Sequence, residues 1–227
     1  MSATRDFAAV HRKSAFRSLV RPSGPCGQER VCRENRTLAW LDSSIQSGET
    51  MATTLFDMSV PTFLQTARAV GGFLEKAAAH CDATGIDPND LVTARLYPNM
   101  APFWFQIECV DNYSVWGIEA MRTGAWTPPD LAQVVPFADL QARIARTETA
   151  LKAFKPDEVN ACSGKELDIL ITHVSPRPTA FTSVTFLLSF LLPNFYFHAV
   201  TAYDTLRTRG VPIGKRDYEG QLRTRPV

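Results

Sequence analysis

Cysteine and histidine are scarce in this 227-residue chain, at five and four, and net charge is nearly absent, with 24 Lys+Arg against 23 Asp+Glu. The cysteines, Cys26, Cys32, Cys81, Cys109 and Cys162, are odd in number and form no CxxC pair. That excludes a disulfide miniprotein and fits a reducing compartment, so a cytoplasmic location is expected. No apolar run near the N-terminus reaches the length of a secretory signal core. No strongly basic footprint exists to hold a phosphate backbone, and no nucleic-acid partner is expected. What remains is ordinary globular composition, 45% hydrophobic and 10% aromatic, enough for one domain with a proper core.

The charge balance hides an asymmetry. Residues 1–50 contain eight Lys+Arg and five Asp+Glu, a net +3, leaving −2 for residues 51–227. The first fifty residues recur in Arg and Ser, are broken by RPSGPCGQER, and carry no periodic apolar pattern. They are expected to be a disordered or non-core extension, or an over-long reading frame, and residues 51–227 a single helical domain. Arg5, Arg12, Lys13, Arg17 and Arg21 against Asp6 give the extension a weak likeness to an organellar transit peptide, a second reading of its location.

Past Met51 the periodicity of helices begins. Val60, Phe63, Leu64, Ala67, Val70, Leu74, Ala77 and Cys81 recur every three or four residues and predict an amphipathic helix from Ser59 to Gly85. Asp87-Pro88-Asn89-Asp90 opens a short helix that reaches Arg95 before Tyr97-Pro98. A stripe of Phe103, Ile107, Val110, Ser114, Gly117 and Met121 predicts a third, closed by Gly124. Phe137, Leu140, Ile144, Thr147, Leu151 and Phe154 predict a fourth, stopped by Lys155-Pro156.

The pattern changes at Leu167-Asp168-Ile169-Leu170-Ile171-Thr172, which is β-prone and predicts a small hairpin or an extended crossover before Phe181. Residues 178–203 then carry no Asp, Glu, Lys or Arg, a composition that fits a membrane span as well as a buried helix. Pro193, Asn194, His198, Thr201 and the need of the amphipathic helices for a buried partner favour a helix from Thr182 to Arg207, kinked near Pro193 and packed in protein. No membrane partner is expected. The fold class predicted is mainly α, a four-helix bundle with the β segment before its last helix.

The run LPNFYFHAVTAYDTLRTRGVPIGKRDYEG from Leu192 to Gly220, with SVPTFL at Ser59–Leu64, ARLYPNM at Ala94–Met100 and LQARIA at Leu140–Ala145, resembles the domain-of-unknown-function family numbered nineteen ninety-three. That family sits with the DinB/YfiT-like helical bundles, and the likeness spans about Met51 to Gly220. It implies a fold and no activity. Such relatives often carry three metal-binding histidines, one on the second long helix and an HxxxH pair on the last. Here the last helix reads Asn194-Phe195-Tyr196-Phe197-His198 and the second presents Gln106, while His80 and His173 fall outside the matching positions. One imidazole and two amides bind late transition metals poorly. Neither a metal nor another cofactor is expected.

Helical phase places His198 on the apolar face of the last helix, Asn194 one turn before it, and Gln106 within the stripe of its own helix. If the faces meet, they form a polar cluster with Tyr203 and Asp111 as neighbours. Such a cluster is either a buried hydrogen-bond network that sets helix register or the lining of a small-molecule site. Elsewhere the readings are structural. Gly210-Val-Pro-Ile-Gly214-Lys215 is too short for a phosphate loop and is a helix cap with a packing tail. Cys81 and Cys109 are core thiols, Trp104, Trp116 and Trp126 are packing anchors, and Asp57, Glu75, Glu108 and Glu119 lie on solvated faces.

Two function classes stay open: a small-molecule module around Gln106, Asn194 and His198, enzymatic or not, and a structural protein that forms a homodimer through exposed aromatics such as Trp104 and Trp116. A helix-turn-helix DNA binder ranks last, because Pro88–Arg95 is a poor recognition helix.

Overall fold

The computed structural model describes residues 52–126, 134–171 and 175–224. The expectation about residues 1–50 falls outside that range, as does His173.

Helix α1 (Leu55–Thr84) starts four residues before Ser59, because Thr54 and Asp57 close a reciprocal capping box, Asp57 N donating to Thr54 Oγ1 at 3.2 Å and Thr54 N to Asp57 Oδ2 at 3.0 Å. It ends at Gly85. After the single turn α2 (Asn89–Val92), helix α3 (Phe103–Asp111) runs into a π-helical turn, Asn112–Trp116, and continues as α4 (Gly117–Thr123). Helix α5 (Phe137–Ala153) stops before Pro156, which opens the short α6 (Pro156–Asn160). The β-prone segment forms a hairpin, β1 (Glu166–Ile169) antiparallel to β2 (Thr179–Thr182) with Leu167 opposite Phe181. Leu167 and Ile169 face the core while Glu166 and Asp168 face water, the alternation expected of a strand buried on one side.

The last long helix is continuous from Ser183 to Thr208 but not regular. Helix α7 (Ser183–Phe186) passes through a π turn, Leu187–Leu191, into α8 (Leu192–Thr208), and α9 (Lys215–Glu219) follows. The irregularity expected at Pro193 takes the form of this wider turn, which accommodates a residue that donates no backbone hydrogen bond. Ser183–Thr208 is long and apolar enough to cross a membrane, with mean hydropathy 1.4, and 44% of its most apolar window is buried within the chain.

Four long helical segments close a ring. α1 packs on α5 and α8, and α3 packs on α8 and α5. Phe63 of α1 meets Phe195 of α8 edge to face at 4.8 Å, and Phe103 of α3 stacks on Phe137 of α5 at 6.3 Å. Such ring pairs add about 0.5–1.5 kcal/mol each beyond the area they bury. The two π turns approach where a Cβ on Gly117 would stand 2.8 Å from the Leu191 side chain, so the absence of a side chain at 117 sets that distance.

Candidate functional site

Where α3 faces α8, two side chains from the sequence reading meet. His198 Nδ1 lies 2.7 Å from Gln106 Oε1, and both residues are buried. The direction of this bond follows from the other end of the amide. Gln106 Nε2 donates to the carbonyl of Ala101 at 2.9 Å, on the turn that leads into α3, which leaves Oε1 as acceptor and places the proton of the imidazole on Nδ1. Nε2 therefore carries the lone pair. Burial holds the His198 pKa down to about 4, so the ring is neutral at physiological pH.

Aromatic rings enclose the imidazole. Tyr113 stacks on it at 5.4 Å with planes 10° apart, while Phe105 and Phe197 approach edge-on at 5.9 and 5.2 Å. Tyr113 is delivered by the π turn and stacks in turn on Trp126 at 5.6 Å. Burial pushes its phenol up to about 12, which keeps it uncharged. Nothing in the one-dimensional pattern marks Tyr113, because its phase is set by the wider turn.

The other sequence-predicted residues lie elsewhere. Asn194 donates Nδ2 to the carbonyl of Phe190 on its own helix at 2.7 Å and makes no bond to His198. Tyr203 packs against Phe73 and Tyr218. Asp111 points toward α5, accepting from Thr147 Oγ1 at 2.7 Å and pairing with Arg143 at 3.5 Å. Glu108, expected on a solvated face, is 4% exposed and pairs with Arg143 at 2.9 Å. Its Oε2 and Asn112 Oδ1 are buried without a hydrogen-bond partner among the described residues. Burial raises the Glu108 pKa, Asp111 adds to that, and Arg143 opposes it. Cys81, Cys109 and Cys162 are buried free thiols, and burial drives Cys109 up to about 12, far from a reactive thiolate.

The donor set does not fit a divalent cation. Both polar atoms of Gln106 are engaged, one of them by the imidazole, and the Asn194 amide is turned to its own backbone. No group of three His, Cys, Asp or Glu side chains is arranged for a metal among the described residues. What the arrangement offers is a lone pair on His198 Nε2 set among aromatic rings. Clefts of about 440 Å³ at the hairpin and 360 Å³ between α1 and α5 are lined by other residues.

A crystal structure of a DinB family member protein from Shewanella denitrificans superposes with a TM-score of 0.65 at 24% identity, covering 76% of this chain and 96% of that one. At that identity the likeness establishes the fold, a mainly helical DinB-like domain. Among curated proteins none matches. The profile of the family described as domain of unknown function DUF1993 matches residues 55–219, nearly the whole of the helical domain, and the chain belongs to that family.

Proposed function

We propose that this chain binds a small uncharged molecule at the Nε2 edge of His198, in an aromatic setting. The observation that carries this reading is the Gln106 amide, which donates to Ala101 and so commits His198 to a tautomer with its lone pair on Nε2. A neutral ring with a fixed acceptor selects a molecule that offers an O–H or N–H, and Tyr113, Phe105 and Phe197 favour one with a flat apolar body.

Phenol is a suitable probe, and anisole, which lacks the donor, its control. Phenol should shift the His198 and Tyr113 ring resonances saturably, anisole should not, and His198→Ala should remove the Tyr113 response. Equal responses to both compounds, or stoichiometric zinc, nickel or iron that is lost with His198→Ala, would overturn the reading.

Self-association is the second reading, and one observation favours it. The outer side of the last helix leaves Leu188, Tyr196, Phe197 and Val200 between 37% and 53% exposed, within a stretch free of charge. This surface suits a homodimer better than the pair expected from sequence, since Trp104 is half-buried beside Phe105 and only Trp116 is exposed. Sedimentation of wild type and Leu188→Glu, a position outside the His198 site, tests this reading: a dimer lost in the variant supports association, and a monomeric wild type ends it.

A further inference from the structure

After α9 the chain doubles back along α1, and three contacts fix its path. Gln65 donates Nε2 to the carbonyl of Glu219 at 3.0 Å, and Arg223 donates Nη2 to Thr62 Oγ1 at 3.1 Å. Between them Gly220, at φ 62°, lies so near α1 that a Cβ would stand 3.1 Å from the Ala69 methyl, a position and a backbone angle that suit glycine. The tail and α1 thereby enclose a groove of about 470 Å³, within the size range of small-molecule sites.

The groove has two chemically distinct sides. Pro61, Leu64 and Leu222 supply an apolar wall, Arg68 and Arg223 supply charge, and among the described residues none that lines the groove is acidic. Arg68 Nε lies 3.7 Å from Glu148, and Glu148 is shared with Lys152 at 3.3 Å. Arg223 spends one of its donors on Thr62. Asp57, whose carboxylate feels the charge of Arg223, is held by the amide and hydroxyl of Thr54. Both guanidiniums thus keep N–H groups to offer, in the forked geometry that matches a carboxylate.

We propose that the groove between α1 and the C-terminal tail is a binding site for an amphiphilic carboxylate, its head on Arg68 and Arg223 and its apolar body on Pro61, Leu64 and Leu222. The site is separate from His198 and stands whether or not that residue binds anything. Octanoate tests it, with 1-octanol and inorganic phosphate as the controls that remove the charge and the apolar body. Octanoate should shift the backbone amides of Gln65–Arg68 and Leu222–Thr224 saturably, and both controls should bind at least about tenfold more weakly. Arg68→Ala and Arg223→Ala should each weaken octanoate about tenfold. Both side chains are exposed, so the variants should keep the core; Arg223→Ala also removes the tail's bond to Thr62, and Thr62→Ala, which removes that bond while keeping the charge, should bind octanoate more tightly than Arg223→Ala. Octanol or phosphate matching octanoate, variants that bind as wild type does, or shifts confined to the His198 ring would each overturn the proposal.

Discussion

Helix α3 presents two polar surfaces that solve burial in opposite ways. Toward α8 it offers Gln106, whose amide is used at both ends and whose partner His198 is neutral. Toward α5 it offers Glu108 and Asp111, two carboxylates that share one guanidinium and leave Glu108 Oε2 and Asn112 Oδ1 unpaired. A neutral hydrogen-bonded pair loses little on leaving water, whereas a charge cluster is held by the geometry of its single cation. The first surface sets register and keeps one acceptor to spare. The second is electrostatically strained, with a formal charge of −1 when both acids are ionised.

The largest effect is expected from removing the shared cation. Arg143→Met strands a 4%-exposed Glu108 beside Asp111, and should lower unfolding stability by about 3–5 kcal/mol, read from the denaturant midpoint at neutral pH. A loss below about 1 kcal/mol would mean that the cluster is solvated and the contrast with the α8 side is not real.

Titration separates the two surfaces by sign. His198 is depressed from 6.5 to about 4, so the unfolded chain binds more protons between those values, and the fold should lose up to roughly 3 kcal/mol as pH falls through that window. Glu108 is raised, so its contribution is fully present below the unfolded carboxylate pKa of 4.5 and is lost as pH rises through the folded value. His198→Ala should cost about 1–3 kcal/mol at neutral pH, from the stranded Gln106 Oε1, and flatten the acid limb. Glu108→Gln keeps an acceptor for Arg143 and puts a donor in place of the unpaired Oε2, so it should remove the loss of stability that follows Glu108 ionisation and match or exceed wild-type stability at pH 8. Melting curves across pH for the two variants decide this, and an acid limb that survives in His198→Ala would remove His198 as its source.

These surfaces were unequally legible in the sequence. The helix positions and the Gln106–His198 meeting follow from the period of apolar residues, because both side chains lie on the faces that point inward. Glu108 was misplaced for a physical reason. α3 closes the ring by touching α8 and α5 at once, so five consecutive residues, Gln106 to Val110, are buried, and a one-sided amphipathic pattern does not describe such a helix. The π turns are also silent in the period of apolar residues, yet one of them sets where Tyr113 stacks. Asn194 shows the limit of helical phase: the angle puts it near His198, but a short amide satisfies itself on the carbonyl one turn back.

That local bond gives the smallest predicted effect and the sharpest test of a pair against a triad. Asn194 is half-buried and, among the described residues, its side chain bonds only within its own helix, so Asn194→Ala exchanges a weak side-chain bond for a better helix former. The change in stability should stay within about 0.5 kcal/mol. More telling is the coupling. In a double-mutant cycle with His198→Ala, residues without a shared bond should add to within about 0.5 kcal/mol, whereas Gln106→Ala with His198→Ala should be non-additive by about 1 kcal/mol or more, because either single change already breaks their common bond. A large Asn194–His198 coupling would show that Asn194 leaves the Phe190 carbonyl to join the imidazole, and would make the interior a three-residue site.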